Sequence, residues 1–170
     1  MANINNISPE ELSKIMRPGA AGILAMTESG EFLLTKRTSK AKYLGGFWSV
    51  PSGEVDVNIL ESMEQCARRE FFEETTHEIP SNVKIVCIDR YFADDRMYFL
   101  FIYKVKKRFF VKIDWEHDDV NWFTKDNLPQ PISPQIYDAI HRIWYLLLWI
   151  NLVMKYRFYW KSGLTNTRNQ

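Results

Sequence analysis

Apolar residues recur along the chain with two different spacings, and these spacings predict its secondary structure. Residues 20–26 and 31–37 are apolar-rich runs on either side of the turn residues 27–30, which predicts a strand, a turn and a second strand. Residues 83–93 and 97–105 are rich in β-branched and aromatic residues, as two adjacent strands would be. The pattern therefore predicts two pairs of neighbouring strands.

Helical spacing follows in the middle of the chain. Between residues 60 and 75 there is no Gly or Pro, and the apolar residues recur in steps of three and four. The residues that carry this spacing are Leu60, Met63, Ala67 and Phe71. The pattern predicts one amphipathic helix over residues 60–75.

Helix start signals lie near both ends of the chain. Ser8-Pro9 and Ser133-Pro134 both combine a capping residue with a proline that fits the first turn of a helix. They predict a short helix before the first strand and a C-terminal helix from near Gln135. A last short strand is predicted over residues 119–123. Strands thus lie before, between and after helices, which predicts an α/β fold with a mixed sheet and helices on both faces.

Length and composition restrict the class of protein. A chain of 170 residues suits one domain, and 46% hydrophobic with 25% charged residues is typical of a folded soluble protein. A formal net charge of +1 creates no general attraction for nucleic acid, which is not an expected partner. The N-terminus lacks the pattern of a signal peptide, and Cys66 and Cys87 lack metal-site or redox spacing. These observations predict a cytoplasmic protein.

Three glutamates carry the chemistry that the sequence predicts. Glu70, Glu73 and Glu74 share one side of the predicted helix, because steps of three and four return to the same side. Like charges at this spacing destabilise a helix by about 0.2–0.5 kcal/mol per pair unless something compensates them. Mg²⁺ or Mn²⁺ would do so, since both prefer hard oxygen ligands, and Arg69 is placed to pair with Glu73. The alternative is an acidic helix face exposed to solvent.

The surrounding residues resemble the box of the Nudix family. That box runs Gly, five residues, Glu, seven residues, Arg-Glu, an apolar residue, any residue, Glu-Glu, any residue, Gly and an apolar residue. The matching residues, in order, are Gly53, Glu61, Arg69, Glu70, Phe71, Glu73 and Glu74. Three departures occur: seven residues instead of five separate Gly53 from Glu61, Thr76 replaces the final glycine, and His77 replaces the final apolar residue.

The resemblance extends over roughly residues 20–139. Residues 30–37 resemble the second strand of the family, residues 47–51 its approach to the box, and residues 120–123 its last strand. The resemblance implies a Nudix-like α/β/α sandwich with a mixed sheet. It also implies a hydrolase that cleaves a diphosphate bond in a nucleotide-like small molecule, with Mg²⁺ or Mn²⁺ as cofactor.

The resemblance implies roles for individual residues of the box. Glu70, Glu73 and Glu74 are implied as metal ligands, and the carbonyl of Gly53 as a further ligand. Glu61 is implied as a structural brace of the loop that precedes the helix. Thr76 removes a favourable helix terminator but no ligand.

A further carboxylate is implied just before the last strand, at Glu116. This makes Glu70 and Glu116 two candidates for the general base and, with Arg69 and Glu73, the implied catalytic set. His117 is a third candidate for the base, because the segment that begins with it resembles the GDP-mannose hydrolases. Its alternative is a solvated loop histidine.

Two basic residues and two alternative functions complete the site hypothesis. Lys36 and Arg37 lie on the strand that leads to the box and are predicted to bind substrate phosphates, with ordinary surface charge as the alternative.

The alternative functions are a GDP-mannose-type sugar hydrolase and a non-catalytic Nudix module that binds a nucleotide.

The C-terminal part of the chain is predicted to be an extension. The sequence suggests a Nudix domain over residues 1–142 and an aromatic-rich segment over residues 143–170. Residues 143–154 are almost wholly apolar but too few for a membrane span, which needs about twenty. The segment is predicted to be a helix that packs on the domain or on the second subunit of a homodimer. Association with a membrane surface is the alternative.

Overall fold

A computed structural model describes residues 18–93 and 95–163, apart from the side chains of residue 148 and residues 150–163. The elements in chain order are β1 (Ala20–Thr27), β2 (Glu31–Arg37), β3 (Trp48–Ser49), β4 (Ser52–Glu54), α1 (Met63–Thr75), β5 (Val86–Ala93), β6 (Arg96–Val105), β7 (His117–Thr124) and α2 (Pro134–Gly163). Short 3₁₀ turns lie at Val57–Ile59 and Lys125–Asn127. The helix predicted from Ser8 lies outside the described residues.

The strands of the described chain form one mixed sheet with β1 and β2 near its centre. β1 runs parallel to β6, and the other strand pairs are antiparallel, with β5 beside β6 and β7 beside β2. β1 and β2 are paired at Met26 and Phe32, next to their turn. Towards the other end of the sheet, β4 pairs with β1 and β3 with β2. The segment from β3 to β4 therefore lies at the end of the sheet where β1 begins and β2 ends.

The predicted strand pairs and the α/β class are confirmed. β1 ends one residue later than predicted, and β2 has the predicted bounds. β5 begins at Val86 instead of residue 83, and β7 begins at His117 instead of residue 119. The predicted C-terminal helix begins at Pro134. The described fold is a mixed sheet with two helices.

The predicted start of α1 at residue 60 was wrong, because a cap two residues later sets it. The Oγ of Ser62 accepts a hydrogen bond from the backbone N–H of Gln65 at 3.2 Å, and Gln65 Oε1 accepts one from the N–H of Ser62 at 2.9 Å. This reciprocal capping box defines the first turn of the helix. Leu60 has a left-handed backbone with φ 52° and is 91% exposed, so it is not part of the apolar face.

The apolar face of α1 packs on the sheet around β1. Cys66, Ala67 and Phe71 are fully buried in one cluster with Ala21 and Ile23 of β1. Burying such side chains supplies most of the stability of a short helix in a protein. The packing leaves the glutamate side of α1 next to β4 and the loop that follows it.

Thr76, which ends α1, is a position where we expect a substitution to stabilise the protein. Thr76 closes the helix with its N–H bonded to the carbonyl of Phe72 at 2.8 Å and a left-handed backbone at φ 55°. This conformation costs a residue with a Cβ roughly 1–2 kcal/mol, whereas glycine adopts it freely. We expect Thr76→Gly to raise the free energy of unfolding by about 1 kcal/mol and the Tm by about 2–4 °C. Thr76→Ala, which keeps a Cβ, should recover little of this gain, and a lower Tm for Thr76→Gly would contradict the prediction.

The chain divides into two compact units, the first ending at Ser133 and the second beginning at Pro134. The second contains α2, on which Ile136, Ile140 and Ile143 are buried at steps of four and three. The border predicted between residues 142 and 143 falls within this helix and stays a prediction, as does the homodimer. None of the helices within the described residues combines the length and the hydropathy that a membrane-spanning helix needs.

Candidate active site

Gly53 of β4 lies directly beneath the carboxylate of Glu70. A Cβ at position 53 would collide with the carboxylate carbon and both of its oxygens. The carbonyl oxygen of Gly53 accepts a hydrogen bond from the thiol of Cys66 at 3.4 Å. Because Gly53 has no side chain, the carboxylate of Glu70 can approach β4 closely.

Arg69 is the centre of the ion pairs around this point. Its Nε and Nη2 donate to the two carboxylate oxygens of Glu61 at 2.8 and 2.9 Å. Its Nη1 donates to Glu70 at 2.6 Å and to Glu73 at 3.0 Å, and Nη2 also donates to the carbonyl of Glu54 at 2.9 Å. The hydrogen bonds from Arg69 lower the pKa of the Glu61 carboxyl. One planar guanidinium thus holds three carboxylates and the end of β4 in fixed relative positions.

The two extra residues of the box form a closed turn that leaves this arrangement intact. Asp56 accepts a hydrogen bond from the N–H of Asn58 at 2.9 Å and caps the turn Val57–Ile59. The N–H of Asp56 in turn donates to Glu61 at 3.0 Å. The insertion therefore folds onto itself while Glu61 keeps its contacts with the loop and with Arg69.

Glu70 is a largely buried carboxylate among other charges. Its side chain is 14% exposed. Burial raises its pKa above the ordinary value, and the hydrogen bond and charge of Arg69 oppose the rise. The negative charges of Glu73 and Glu116 raise the pKa further, so both lie within electrostatic reach of Glu70.

Glu74 is still more deeply buried, with 4% of its surface exposed. Its Oε2 accepts a hydrogen bond from the N–H of Ser52 at 3.1 Å and lies 3.5 Å from Nε2 of His117. Burial raises its pKa well above the ordinary range, the charge of Glu70 adds to the rise, and the charge of Arg37 opposes it. The Glu73 side chain, by contrast, is 52% exposed. The three predicted glutamate ligands are therefore buried to different extents.

The donor set suits a hard divalent cation, although its side chains are held apart. Within the described residues, no three His, Cys, Asp or Glu side chains converge closely enough to hold a metal ion. Arg69 binds Glu70 and Glu73, and Glu74 is turned towards β4. Carboxylate oxygens are nevertheless the ligands that Mg²⁺ and Mn²⁺ prefer. The Glu73 side chain is 52% exposed, so its carboxylate is accessible to a cation from solvent.

Glu116 and His117 reach the same site from the start of β7. Glu116 Oε2 lies 3.8 Å from Nη2 of Arg37, and its carbonyl accepts a hydrogen bond from the N–H of Thr38 at 2.9 Å. The expectation of a solvated loop histidine at position 117 was wrong, because its ring is fully buried. The ring nitrogen Nδ1 lies 2.9 Å from Oδ1 of Asp114, a residue that sequence reasoning missed.

The structure separates the two predicted phosphate-binding residues. Arg37 and Lys36 are neighbours on β2, so their side chains project from opposite faces of the sheet. Leu33, which shares the face of Arg37, packs in the cluster beneath α1. Lys36 shares the opposite face with Phe32 and Leu34. Only Arg37 of this pair is therefore brought to the carboxylates.

Comparison with known proteins identifies the family. A family model described as the NUDIX domain matches residues 16–143. The chain belongs to the Nudix family. As a Nudix protein it is a hydrolase that acts on pyrophosphate bonds. No curated protein sequence matches the chain.

Solved Nudix structures share the fold at low sequence identity. An Ap4A hydrolase from C. elegans is 22% identical, with 76% of this chain and 98% of that chain covered and a TM-score of 0.63. A MutT NUDIX hydrolase from Burkholderia pseudomallei is 25% identical, with 74% and 97% covered and a TM-score of 0.58. The NUDIX domain of Shewanella oneidensis NrtR, complexed with ADP ribose, is 19% identical, with 84% and 98% covered and a TM-score of 0.59.

The last departure from the Nudix box has a structural partner. His77, which stands in the apolar slot, stacks on Phe109 with ring centroids 3.5 Å apart. Both rings also make edge contacts with Phe71. Burial lowers the pKa of His77, which favours the neutral imidazole. The histidine therefore fills the apolar slot with a flat ring that stacks on Phe109.

Proposed function

We propose that this Nudix protein is a divalent-metal-dependent pyrophosphohydrolase with Mg²⁺ or Mn²⁺ as cofactor. Its substrate is a nucleoside diphosphate linked to another group, or a nucleoside triphosphate. The observation that carries the proposal is the crowding of carboxylates around Glu70, whose pKa is raised by burial and by Glu73 and Glu116 despite the contact with Arg69. Such a site gains stability from a bound cation.

Glu70, Glu73 and Glu74 would hold the ion, and Gly53 would add its carbonyl oxygen, which keeps a second lone pair beside its contact with Cys66. A bound divalent ion supplies neutralisation of the diphosphate charge and a lower pKa for the attacking water. Arg69 and Glu61 hold these glutamates in place relative to β4.

The proton of the attacking water would pass to Glu70 or Glu116. Glu70 is our first choice, because its carboxylate lies against Gly53 and within electrostatic reach of both Glu73 and Glu116. Arg37, beside Glu116, would bind phosphate oxygens. The sugar-hydrolase alternative needs His117 as the base, and the side chain of His117 is fully buried.

The substrate class follows from the relatives and stays part of the proposal. The C. elegans relative is an Ap4A hydrolase, and the Shewanella domain was solved with ADP ribose. Both compounds join adenosine to a phosphate chain, which supports a nucleotide-like substrate here. We also propose a cytoplasmic location, which the two free cysteines Cys66 and Cys87 support.

The proposal is tested with a matched pair of glutamates on α1. Glu73 and Glu64 each pair with an arginine four residues away, and their side chains are 52% and 50% exposed. We expect Glu73→Gln to weaken the apparent Mg²⁺ or Mn²⁺ affinity by about 10–100-fold. We expect Glu64→Gln to behave as the wild type, because its charge lies outside the carboxylate site.

The assay measures turnover of ADP-ribose, dinucleoside polyphosphates, NADH, GDP-mannose and nucleoside triphosphates against metal concentration, with EDTA as a blank. Metal-dependent release of two phosphorylated products supports the proposal. Release of GDP and free mannose would favour the sugar hydrolase. A wild type that binds nucleotides but cleaves none of these compounds would indicate the non-catalytic module.

A further inference from the structure

One carboxylate oxygen of Asp114 holds two parts of the site. Asp114 Oδ1 accepts a hydrogen bond from the backbone N–H of Glu116 at 3.1 Å and lies 2.9 Å from Nδ1 of His117. A carboxylate only accepts hydrogen bonds, so this contact places a hydrogen on Nδ1 of the imidazole. Asp114 therefore fixes both the backbone that carries Glu116 and the orientation of the His117 ring.

The opposite edge of that ring faces Glu74. His117 Nε2 lies 3.5 Å from Glu74 Oε2, and the same oxygen accepts the hydrogen bond from the N–H of Ser52 at 3.1 Å. Ring and carboxylate are both buried, with side chains 0% and 5% exposed. The Glu74 carboxylate is thus confined between the backbone of β4 and the imidazole.

We propose that Asp114 and His117 are positioning residues. Together they hold the carboxylates of Glu74 and Glu116 in place. Asp114 orients the imidazole against Glu74 and holds the turn that presents Glu116 beside Arg37. The inference rests on the proposed function, because it takes Glu74 as a metal ligand and Glu116 as a group at the reacting water. Residues that orient a metal ligand from behind typically contribute about 10–100-fold in metal affinity or activity.

The kinetic test compares Asp114→Ala with Asp114→Asn. We expect Asp114→Ala to lower kcat about 10–100-fold and to raise the Mn²⁺ concentration for half-maximal activity, with little change in the KM of the nucleotide. Asp114→Asn should retain most activity, because its amide oxygen still accepts both hydrogen bonds. Asp118→Ala, at an exposed neighbour on β7, is the matched control and should behave as the wild type.

A double-mutant cycle shows whether Asp114 acts through Glu116. The loss caused by Asp114→Ala should be smaller in a Glu116→Gln background than in the wild type, since the contribution through Glu116 is already gone. His117→Gln, which removes the ring that confines Glu74, should raise the Mn²⁺ requirement as Asp114→Ala does. It also provides the test if Asp114→Ala does not fold.

A readout on the metal-free protein does not depend on activity. The Nδ1 proton of a buried, hydrogen-bonded imidazole exchanges slowly and is observable by ¹H NMR. The signal should be present in the wild type and Asp114→Asn and absent in Asp114→Ala. The inference is overturned if folded Asp114→Ala keeps the kcat and Mn²⁺ requirement of the wild type, or if folded Asp114→Asn loses as much as Asp114→Ala.

The proposed function and the positioning of Glu74 by Asp114 are contradicted by different results. A wild type that cleaves no diphosphate at any Mn²⁺ concentration contradicts the proposed function. The imidazole signal, together with the Mn²⁺-induced rise in Tm of the wild type and Asp114→Ala, would still test the positioning of Glu74. Equal Mn²⁺-induced shifts in the two proteins would overturn that positioning.

Discussion

Glu70→Gln is expected to lower kcat/KM by about 10²–10⁴-fold while the protein stays folded. Glutamine keeps the size of the side chain above Gly53 and can still contact Arg69. It cannot accept a proton near neutral pH, and its neutral amide is a weaker ligand for Mg²⁺ than a carboxylate. Because burial already raises the pKa of Glu70, removing its charge should leave the Tm of the metal-free protein unchanged or higher.

The measurement is kcat/KM at saturating Mn²⁺, with the Tm of each variant recorded without metal. Glu64→Gln controls for the loss of a glutamate from the same helix. Glu116→Gln tests the other candidate for the base, because the variant in which kcat loses its fall at low pH identifies the residue that takes the proton. Turnover by Glu70→Gln within tenfold of the wild type would rule out Glu70 as the base.

Phe71→Ala is expected to cost about 3–5 kcal/mol in the free energy of unfolding. Phe71 is fully buried beneath α1 and makes edge contacts with Tyr103, Phe109 and His77, with ring centroids 6.1–6.3 Å apart. Removing the ring leaves a cavity that the sheet and helix cannot fill completely. For a domain of this size the loss corresponds to a fall in Tm of roughly 6–20 °C.

The neighbouring phenylalanine provides the control for this substitution. Phe72 follows Phe71 on the same helix but is 50% exposed. Phe72→Ala removes the same ring from α1, so it matches the change in helix propensity while opening no cavity. We expect it to cost less than about 1 kcal/mol, as surface substitutions usually do. Equal losses of stability for the two variants in urea or thermal unfolding would contradict the burial of Phe71 beneath α1.

The sequence by itself determined the local structure and predicted the chemical class of the site. Strand pairs and α1 were predictable because side-chain spacing repeats with the period of each element. Glu70, Glu73 and Glu74 share one side of a helix for the same reason, and their chemistry indicates a hard cation. The start of α1 was missed because the apolar spacing extends back to Leu60, whereas the capping pair Ser62–Gln65 makes the helix begin at Met63.

Only the tertiary structure decided which residues meet across the fold. Lys36 and Arg37 are adjacent basic residues in sequence, and the pleat of β2 brings only Arg37 to the carboxylates. Glu74 is separated from His117 and Asp114 by some forty residues, so no local pattern predicts that the three meet. Their contact arises because β7 pairs with β2 while α1 packs against β1 and β4, and the different burial of the three box glutamates follows from the same packing. Local periodicity determines which face a side chain takes, and only the packing of distant strands determines what that face meets.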